Sequence, residues 1–298
     1  MNWRPNALAR ALSESTSRTL GLTILRQGDG FVGEAAYLRL IAGINRGLKE
    51  SGYSLQVRIV STLKEEVESY REWWGTRRVD GVFVLHPREK DPRLETLAQL
   101  GLPSVVLGSH RESPNSSSIA IDDAVLMDQV VRHLVDGGYA ALAFVGGDES
   151  NEQSMMRSRF FEESAAACGV ERALCFSSDF SESEGKVITR RMLRSVPHPI
   201  GVVYENNSLA LGGLAAAAEE GVKVPHQMGI VTWEDSALCR VTEPTLSAVV
   251  RLPEVIGEEG AKIMARLLRE NATEATSIRV GHLQVRASSR RSVPSPLA

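Results

Sequence analysis

The sequence has few cysteines, few aromatic residues and no long apolar run. Its three cysteines among 298 residues, Cys168, Cys175 and Cys239, show no spacing typical of a disulfide framework or a zinc site. They indicate a reducing compartment and exclude a small secreted disulfide scaffold. No stretch of about 18 apolar residues is present and the first residues lack a signal-peptide core, so we predict a cytoplasmic protein without a membrane span.

The sequence contains no long cluster of residues with the same charge. There are 34 lysines and arginines against 37 acidic residues, for a net charge of −3, and no basic block of five or more. The body of the protein therefore lacks the electrostatic pattern of a nucleic-acid binder, and any DNA contact has to be local.

Sequence motifs for catalysis and cofactor binding are also scarce. A GxGxxG string at Gly28, Gly30 and Gly33 follows an apolar run, as in dinucleotide-binding folds. Arg26 and Gln27 separate it from that run, however, and no acid for a ribose hydroxyl follows Val60. No GxSxG, HExxH or paired Cys/His motif occurs. We therefore expect no cofactor, no metal and no enzyme activity.

Short apolar runs alternate with helix-period segments along most of the chain, which is typical of a parallel sheet covered by helices. Strands of a first sheet are predicted at 21–25, 55–60, 80–85, 103–107 and 118–122. Strands of a second sheet are predicted at 141–146, 172–176, 200–204 and 228–233. The predicted fold class is α/β, with two doubly wound parallel-sheet lobes joined by a hinge. Such lobes bind ligands outside the carboxyl ends of their strands, and facing lobes are expected to enclose a cleft.

Two helices have apolar residues at helical spacing, which predicts one buried face on each. The predicted buried positions are Met127, Val130, Val131 and Leu134 in one helix, and Leu211, Leu214, Ala215 and Ala218 in the other.

A series of strings in family-like order runs over nearly the whole chain. They are RPNALARAL at 4–12, GLTIL at 21–25, EAAYLRLIAGINRGLKESGY at 34–53, VDGVFVL at 79–85, LPSVVL at 102–107, IAIDDAVLMDQVVRHLVDGGYAALAFVGG at 119–147, DFSESEG at 179–185, the segment 205–236, PTLSAVV at 244–250 and HLQVRASS at 282–289. In this order the chain resembles the lactose-repressor (LacI/GalR) family of regulators. The resemblance implies a type I periplasmic-binding-protein-like fold, with a hinge-helix remnant at 1–18. The implied lobes are 19–119 with 251–280, and 120–250 with 281–298.

The resemblance also implies how DNA is contacted. Residues 4–12 match the family's hinge helix, which enters the minor groove, with Leu12 as the wedge and Ala9 and Arg10 at the groove. The alternative is a frayed terminal tail, since so short a helix is not stable alone. Because Met1 begins at this hinge, the chain as written is expected to bind operator DNA poorly. Upstream coding sequence is expected to encode a helix-turn-helix.

Effector-binding residues follow from the same resemblance. Arg159 corresponds to the family's ligand-binding arginine, Asn206 to an amide that binds hydroxyls, and Glu234 to the acid that accepts from the ligand. Arg159→Ala is therefore expected to abolish effector binding, unless Arg159 is simply a surface cation. The pocket departs from the usual pattern at Gly108, Glu162, Glu163 and Asn207, and at Glu234, which is longer by one methylene than the aspartate usual in the family.

Three further residues complete the predicted site. Tyr37 and Phe180 match aromatic residues that stack on the ligand, although either could instead belong to the core. His86 is expected to line the cleft, unless it is simply a solvated loop residue. We therefore expect a homodimeric regulator that senses a small polar effector, a sugar or polyol, and that binds operator DNA. The alternative is the solute-binding protein of a sugar transporter, which shares this fold but requires export.

Overall fold

The computed structural model describes residues 16–25, 34–88, 90–109, 113–147 and 151–291, divided between two compact units. The first unit comprises the chain up to Ile121 together with Pro253–Ile278, and the second comprises Asp122–Leu252 together with the chain from Arg279. Within the described residues, no helix has the length and apolar character needed to span a membrane. The hinge-helix residues Ala9, Arg10 and Leu12, and the glycines of the GxGxxG string, lie outside the described residues.

The first unit contains one six-stranded parallel sheet in the order β11-β5-β4-β3-β1-β2. Its strands are β1 (Thr19–Leu25), β2 (Ser54–Val60), β3 (Gly81–Leu85), β4 (Ser104–Leu107), β5 (Ser116–Ile121) and β11 (Ala275–Ile278). Its helices are α1 (Glu34–Leu48), α2 (Leu63–Gly75), α3 (Pro92–Leu100) and α9 (Pro253–Glu270).

The second unit contains a six-stranded sheet in the order β12-β10-β9-β8-β6-β7, in which only the β10–β12 pair is antiparallel. Its strands are β6 (Ala141–Gly146), β7 (Arg172–Ser177), β8 (Ile200–Tyr204), β9 (Met228–Thr232), β10 (Ser247–Val250) and β12 (His282–Gln284). Its helices are α4 (Asp123–Asp136), α5 (Glu152–Ala167), α6 (Glu182–Ser195), α7 (Asn207–Glu219) and α8 (Leu238–Val241). The predicted α/β class with two mostly parallel sheets is confirmed.

Strand β8 illustrates why the second sheet is buried on both faces. Successive side chains of a strand point to opposite faces. Val202 and Tyr204 belong to a core cluster on one face, whereas Val203 belongs to a separate cluster with Phe144 and Val231. Both faces of β8 are therefore covered, which explains why this strand is a continuous apolar run, whereas the terminal strand β7 is partly exposed.

Helices α1 and α9 of the first unit approach so closely that glycine is needed on both. A Cβ added to Gly43 would overlap the backbone of Glu254, and one added to Gly257 would overlap the carbonyl oxygen of Leu40. At the edge of this contact Arg39 donates two hydrogen bonds to Glu254, at 2.9 and 2.7 Å.

The predicted buried face is confirmed in α4 and wrong in α7. Met127, Val130, Val131 and Leu134 are fully buried. In α7, however, Leu209, Gly213 and Ala217 are buried while Ala218 is exposed. Because α7 is apolar on nearly all sides, periodicity does not select a face. The buried face is selected instead by two close contacts. Gly213 packs on the Tyr204 ring, and neighbouring Gly212 packs on the backbone of α6.

Candidate functional site

The carboxyl edge of the second sheet carries most of the polar residues of interest. Gly147, Phe180, Glu205, Glu234 and Arg251 follow β6, β7, β8, β9 and β10, respectively. Because these five strands are parallel, the loops after them emerge at one edge of the sheet, the edge at which open α/β folds bind ligands.

A buried ion-pair cluster lies at this edge and is centred on Arg157 of α5. Its Nε donates to Asp123 Oδ2 at 2.7 Å, and its Nη1 donates to Glu205 Oε1, also at 2.7 Å. The second oxygen of Glu205 accepts the backbone N–H of Gly147 at 2.9 Å. Asp123 is the first residue of α4, so the cluster joins two helices to the ends of β6 and β8.

Arg251 approaches the same carboxylate from β10. Its Nη2 lies 4.0 Å from Asp123 Oδ1, the oxygen that Arg157 leaves unbonded. Trp233, at the end of β9, is almost completely buried, and the Arg157 guanidinium lies 5.7 Å from the centroid of its ring. We call Asp123, Arg157, Glu205, Trp233 and Arg251 the carboxyl-edge cluster.

Several polar atoms at this edge are buried without a hydrogen-bond partner among the described residues. They are Asp123 Oδ1, Ser154 Oγ, Arg157 Nη2, Trp233 Nε1 and Arg251 Nε. An unsatisfied buried polar group destabilises a fold by about 1–3 kcal/mol, so such groups are rare in cores and are usual where a ligand or water binds.

Burial and neighbouring charge set the ionisation of the cluster. Burial alone raises the pKa of Asp123, but Arg157 and Arg251 outweigh it and hold that pKa below its usual range. Burial similarly opposes the charge of Arg157, but Asp123 and Glu205 raise its pKa above the ordinary value. Asp123 and Arg157 therefore hold each other in their charged forms.

For Arg251 and Glu234, the neighbouring charges do not outweigh the effect of burial on the pKa. Burial lowers the pKa of Arg251, in spite of the carboxylates of Asp123, Glu205 and Glu234. Burial likewise raises the pKa of Glu234, with Arg251 acting in the opposite direction. The predicted acceptor Glu234 thus lies in the electrostatic field of the carboxyl-edge cluster.

Phe180 lies at the same edge and is half-buried. Its ring packs so closely on Gly147 that no Cβ would fit there, and it has a positive φ of 67°. The ring also contacts one of the core clusters of the second unit. A ligand-stacking role for Phe180 therefore stays a prediction.

Asn206 has a structural use for its amide. Its Oδ1 caps α7 by accepting the N–H of Leu209 at 2.8 Å, and its Nδ2 donates to the Phe180 carbonyl oxygen at 3.0 Å. The second N–H of the amide is the donor that Asn206 could still offer to a ligand, so its predicted ligand contact stays a prediction. Asn207 is bonded to Thr232, Ser236 and Cys239 within the unit.

Arg159 lies away from the carboxyl-edge cluster. Its side chain is 73% exposed and donates to Glu163 at 2.7 Å on the surface of α5. Residues two positions apart on a helix point in nearly opposite directions, and Arg157 is the one that points inward. The effector role of Arg159 stays a prediction, but the arginine that the structure brings to this edge is Arg157.

Tyr37 and His86 are brought together in the first unit. The Tyr37 hydroxyl lies 3.4 Å from His86 Nε2, and the rings meet edge to face with their centroids 6.3 Å apart. His86 directly follows β3, at the carboxyl edge of the first sheet, and has a positive φ of 47°.

A second buried arginine, Arg93, donates hydrogen bonds to the backbone next to and at His86. Every nitrogen of the Arg93 guanidinium is bonded, with Asp91, Glu66 and the carbonyl oxygens of Leu85 and His86 as acceptors. The Tyr70 hydroxyl donates to Glu66 at 2.8 Å. This cluster is satisfied internally, in contrast to the carboxyl-edge cluster of the second unit.

The residues that sequence analysis missed are Asp123, Arg157, Glu205, Trp233 and Arg251. The sequence offers no clear signal for Arg157. The buried residues Ser154, Arg157, Phe161 and Ala165 recur at intervals of three and four on α5, but they share no apolar character, so only the structure shows that the inward face includes Arg157 and not Arg159.

Comparisons with known proteins agree with this architecture. Residues 131–289 match the family model described as "Periplasmic binding protein-like domain". The chain is similar to the HTH-type transcriptional regulator CelR of Thermobifida fusca, with 24% identity over 97% of this chain and 86% of that protein.

Solved structures give the same result. A LacI family transcriptional regulator from Bifidobacterium animalis subsp. lactis superposes with a TM-score of 0.82 and 28% identity, over 93% of this chain and all of that one. A complex of the regulator CelR with cellobiose superposes with a TM-score of 0.83 and 23% identity, over 97% of this chain and 92% of that one. The predicted resemblance in fold and family is thereby confirmed.

Proposed function

The chain belongs to the periplasmic binding protein-like domain family, and on that premise we propose that it is the effector-binding region of a DNA-binding transcriptional regulator. The effector is a small polar, sugar-like molecule. It binds at the carboxyl edge of the second sheet, in contact with the carboxyl-edge cluster and Glu234. No chemical transformation of the ligand is proposed.

One observation carries this proposal: polar atoms of Arg157, Trp233, Asp123 and Arg251 are buried together without protein partners among the described residues. Arg93, the buried arginine of the first unit, has all its nitrogens bonded within the protein. A guanidinium that is buried but incompletely bonded is arranged to bind something else. A sugar-like ligand has hydroxyl groups that both donate and accept, so it complements a site with both kinds of atom.

Regulation rather than transport is supported by the similar proteins, which are named transcriptional regulators, one of them in complex with cellobiose. They favour the regulator over the solute-binding protein of a transporter. For such a regulator, the effector changes DNA binding only if it binds two states of the protein with different affinities. Deletion of the gene is expected to change transcription of neighbouring genes, and the effector is expected to reproduce that change in the wild type.

A thermal-shift screen of sugars, polyols, sugar acids and nucleobases tests the site. We expect at least one compound to raise the unfolding midpoint, and Trp233→Phe, which keeps the aromatic ring but removes the N–H donor, to weaken its binding. Trp73→Phe is the matched control, because Trp73 is also fully buried with an unpartnered Nε1 but belongs to the first unit. Failure of every compound to bind, or equal losses in both variants, would contradict the proposed site.

We also propose that the regulator is a homodimer, since helix-turn-helix proteins read paired half-sites as dimers. In the first unit Val57 and Ile59 lie on the same face of the terminal strand β2 and are 39% and 55% exposed. In the second unit Leu238 and Val241 of α8 are 48% and 77% exposed. Exposed apolar residues grouped in this way are typical of subunit interfaces.

Light scattering after size-exclusion chromatography measures the assembly. The wild type is expected to elute with twice the mass of the chain, and Ile59→Lys with Val241→Lys to elute as a monomer. Val125→Lys, at another exposed apolar position on α4, is expected to leave the dimer intact. A monomeric wild type at micromolar concentration would rule out the dimer.

A further inference from the structure

The unused hydrogen-bonding atoms of the carboxyl-edge cluster are mostly donors. Arg157 Nη2, Arg251 Nε and Trp233 Nε1 donate only. The obligate acceptors described without a hydrogen bond at this edge are Asp123 Oδ1 and Asp235 Oδ1, and the latter is paired with Arg286 at 2.8 Å. A ligand that satisfies them must therefore present more acceptors than donors. Each hydroxyl of a neutral sugar can accept from these donors but also brings a donor that needs an acceptor at the site, whereas a carboxylate accepts without donating.

The charges lead to the same conclusion. Arg157 has two hydrogen-bonded counterions, Asp123 and Glu205. Arg251 has none at hydrogen-bonding distance among the described residues, since the nearest carboxylate oxygen, on Asp123, is 4.0 Å away. The lowered pKa of Arg251 is consistent with this incomplete compensation. Arg251 is therefore the cation of this edge that lacks a close anion.

On the basis of the effector site proposed above, we propose that the effector is a sugar acid whose carboxylate binds Arg251, while its hydroxyls donate to Asp123 and Glu234. A planar guanidinium fork binds a carboxylate with two parallel hydrogen bonds. A phosphate ester fits less well, because its double negative charge would lie near the carboxylates of Asp123, Glu205 and Glu234, which all act on Arg251.

Calorimetric titration of the full chain with matched pairs tests this inference. The pairs are glucuronate with glucose, galacturonate with galactose, and gluconate with glucitol, which differ by the carboxylate and little else. We expect at least one acid to bind on the order of tenfold to a hundredfold more tightly than its neutral partner, the range of a charge-assisted hydrogen bond. Arg251→Gln is expected to remove this preference, because it lowers the affinity for the acid by more than it lowers the affinity for the neutral partner.

Two further variants separate charge from folding. Arg251→Lys keeps the charge without the fork and is expected to retain part of the preference. Arg240→Gln removes an exposed cation of the same unit, 3.9 Å from Asp235, and is expected to leave the preference unchanged. Circular dichroism verifies that each variant is folded. If Arg251→Gln is unfolded, the Arg251→Lys titration decides, and an unchanged preference there contradicts the fork.

The outcomes distinguish this inference from the proposed function. Neutral sugars that bind as tightly as their acids, or a preference that survives Arg251→Gln, would overturn the sugar-acid assignment while leaving an effector site in place. Binding confined to compounds other than sugar acids would also overturn the sugar-acid assignment and leave the effector site in place. Failure of every compound in both the matched pairs and the thermal-shift screen would overturn the effector site together with the sugar acid.

Discussion

Arg157 and Arg159 lie two positions apart on α5 and on opposite faces of it, so that one is almost completely buried and the other is 73% exposed. The buried one bonds Asp123 and Glu205, whereas the exposed one bonds only its helical neighbour Glu163. This difference separates two assignments of the effector-binding arginine.

We expect Arg157→Gln to lose effector binding and to destabilise the protein. The substitution leaves two buried carboxylates without their cation, and breaking a buried ion pair in this way costs about 3–5 kcal/mol. Arg157→Lys, which retains charge but cannot bond both carboxylates through a fork, is expected to be intermediate. Urea unfolding and calorimetric titration measure the two effects.

Arg159→Gln is the matched control on the same helix. Its exposed ion pair with Glu163 is screened by solvent, so we expect unchanged unfolding and unchanged effector affinity. The family resemblance predicts the opposite result for affinity. Loss of binding in Arg159→Gln together with normal binding in Arg157→Lys would support the assignment made from sequence and contradict ours.

The pH dependence of stability is expected to reveal Glu234. Its pKa is raised in the folded protein because burial disfavours the charged form, so the folded state holds the proton more tightly than the unfolded state. The corresponding stabilisation is complete below the ordinary value of 4.5 and is lost as the pH rises through the raised pKa. Glu234→Gln is expected to remove this component, so that the variant gains stability relative to the wild type as the pH approaches neutrality.

Glu219→Gln is the control, because the pKa of Glu219 is shifted in the opposite direction and its contribution to stability therefore has the opposite pH dependence. Hydrogen bonding to Lys186 lowers the pKa of this exposed carboxyl, so its contribution is present above the ordinary value and is lost as the pH falls. Unfolding midpoints in urea between pH 4 and pH 8 compare the variants. Equal pH profiles for the wild type and Glu234→Gln would contradict the raised pKa.

Much of the fold was predictable because the central strands, such as β3, β8 and β9, are continuous apolar runs. Each run from 21–25 to 228–233 is a strand in the structure, with boundaries within two residues of the prediction. A strand buried on both faces needs a side chain such as Val202 or Val203 at every position, and this pattern is visible locally. The inward face of α7 was not predictable, because small apolar residues surround that helix and its glycines pack on elements distant in sequence.

The candidate site was less predictable for a similar reason. A charged residue in a sequence is ordinarily assigned to the surface, since arginine and glutamate are seldom buried without a partner. Whether Glu205 or Arg251 is such an exception depends on Asp123 and Arg157, which are far away along the chain. Tertiary structure alone brings these charges together, whereas the cap at Asn206 is a local pattern that the sequence does contain.

Asn206→Ser is expected to distinguish the two roles of the Asn206 side chain, which are to cap α7 and to bond the Phe180 carbonyl oxygen. Serine keeps an oxygen that can accept the Leu209 N–H, but it cannot reach the Phe180 carbonyl oxygen as the amide does. We therefore expect Asn206→Ser to retain most of the stability, and Asn206→Ala to lose about 1 kcal/mol or more as the cap is removed. If effector affinity falls equally in both variants while stability falls only in alanine, the amide contributes to binding directly or through the position of Phe180.

The contact between α1 and α9 makes a sharp prediction for Gly257. Alanine there would overlap the Leu40 carbonyl oxygen, a backbone atom that moves only if the helices separate. Overpacking of this kind costs about 1–3 kcal/mol, so Gly257→Ala should lower the urea midpoint clearly. Gly75→Ala is the control, because a Cβ at Gly75 meets no atom within 4 Å and alanine favours the helix end. A Gly257→Ala protein as stable as Gly75→Ala would mean that the two helices are not packed as closely as their backbones indicate.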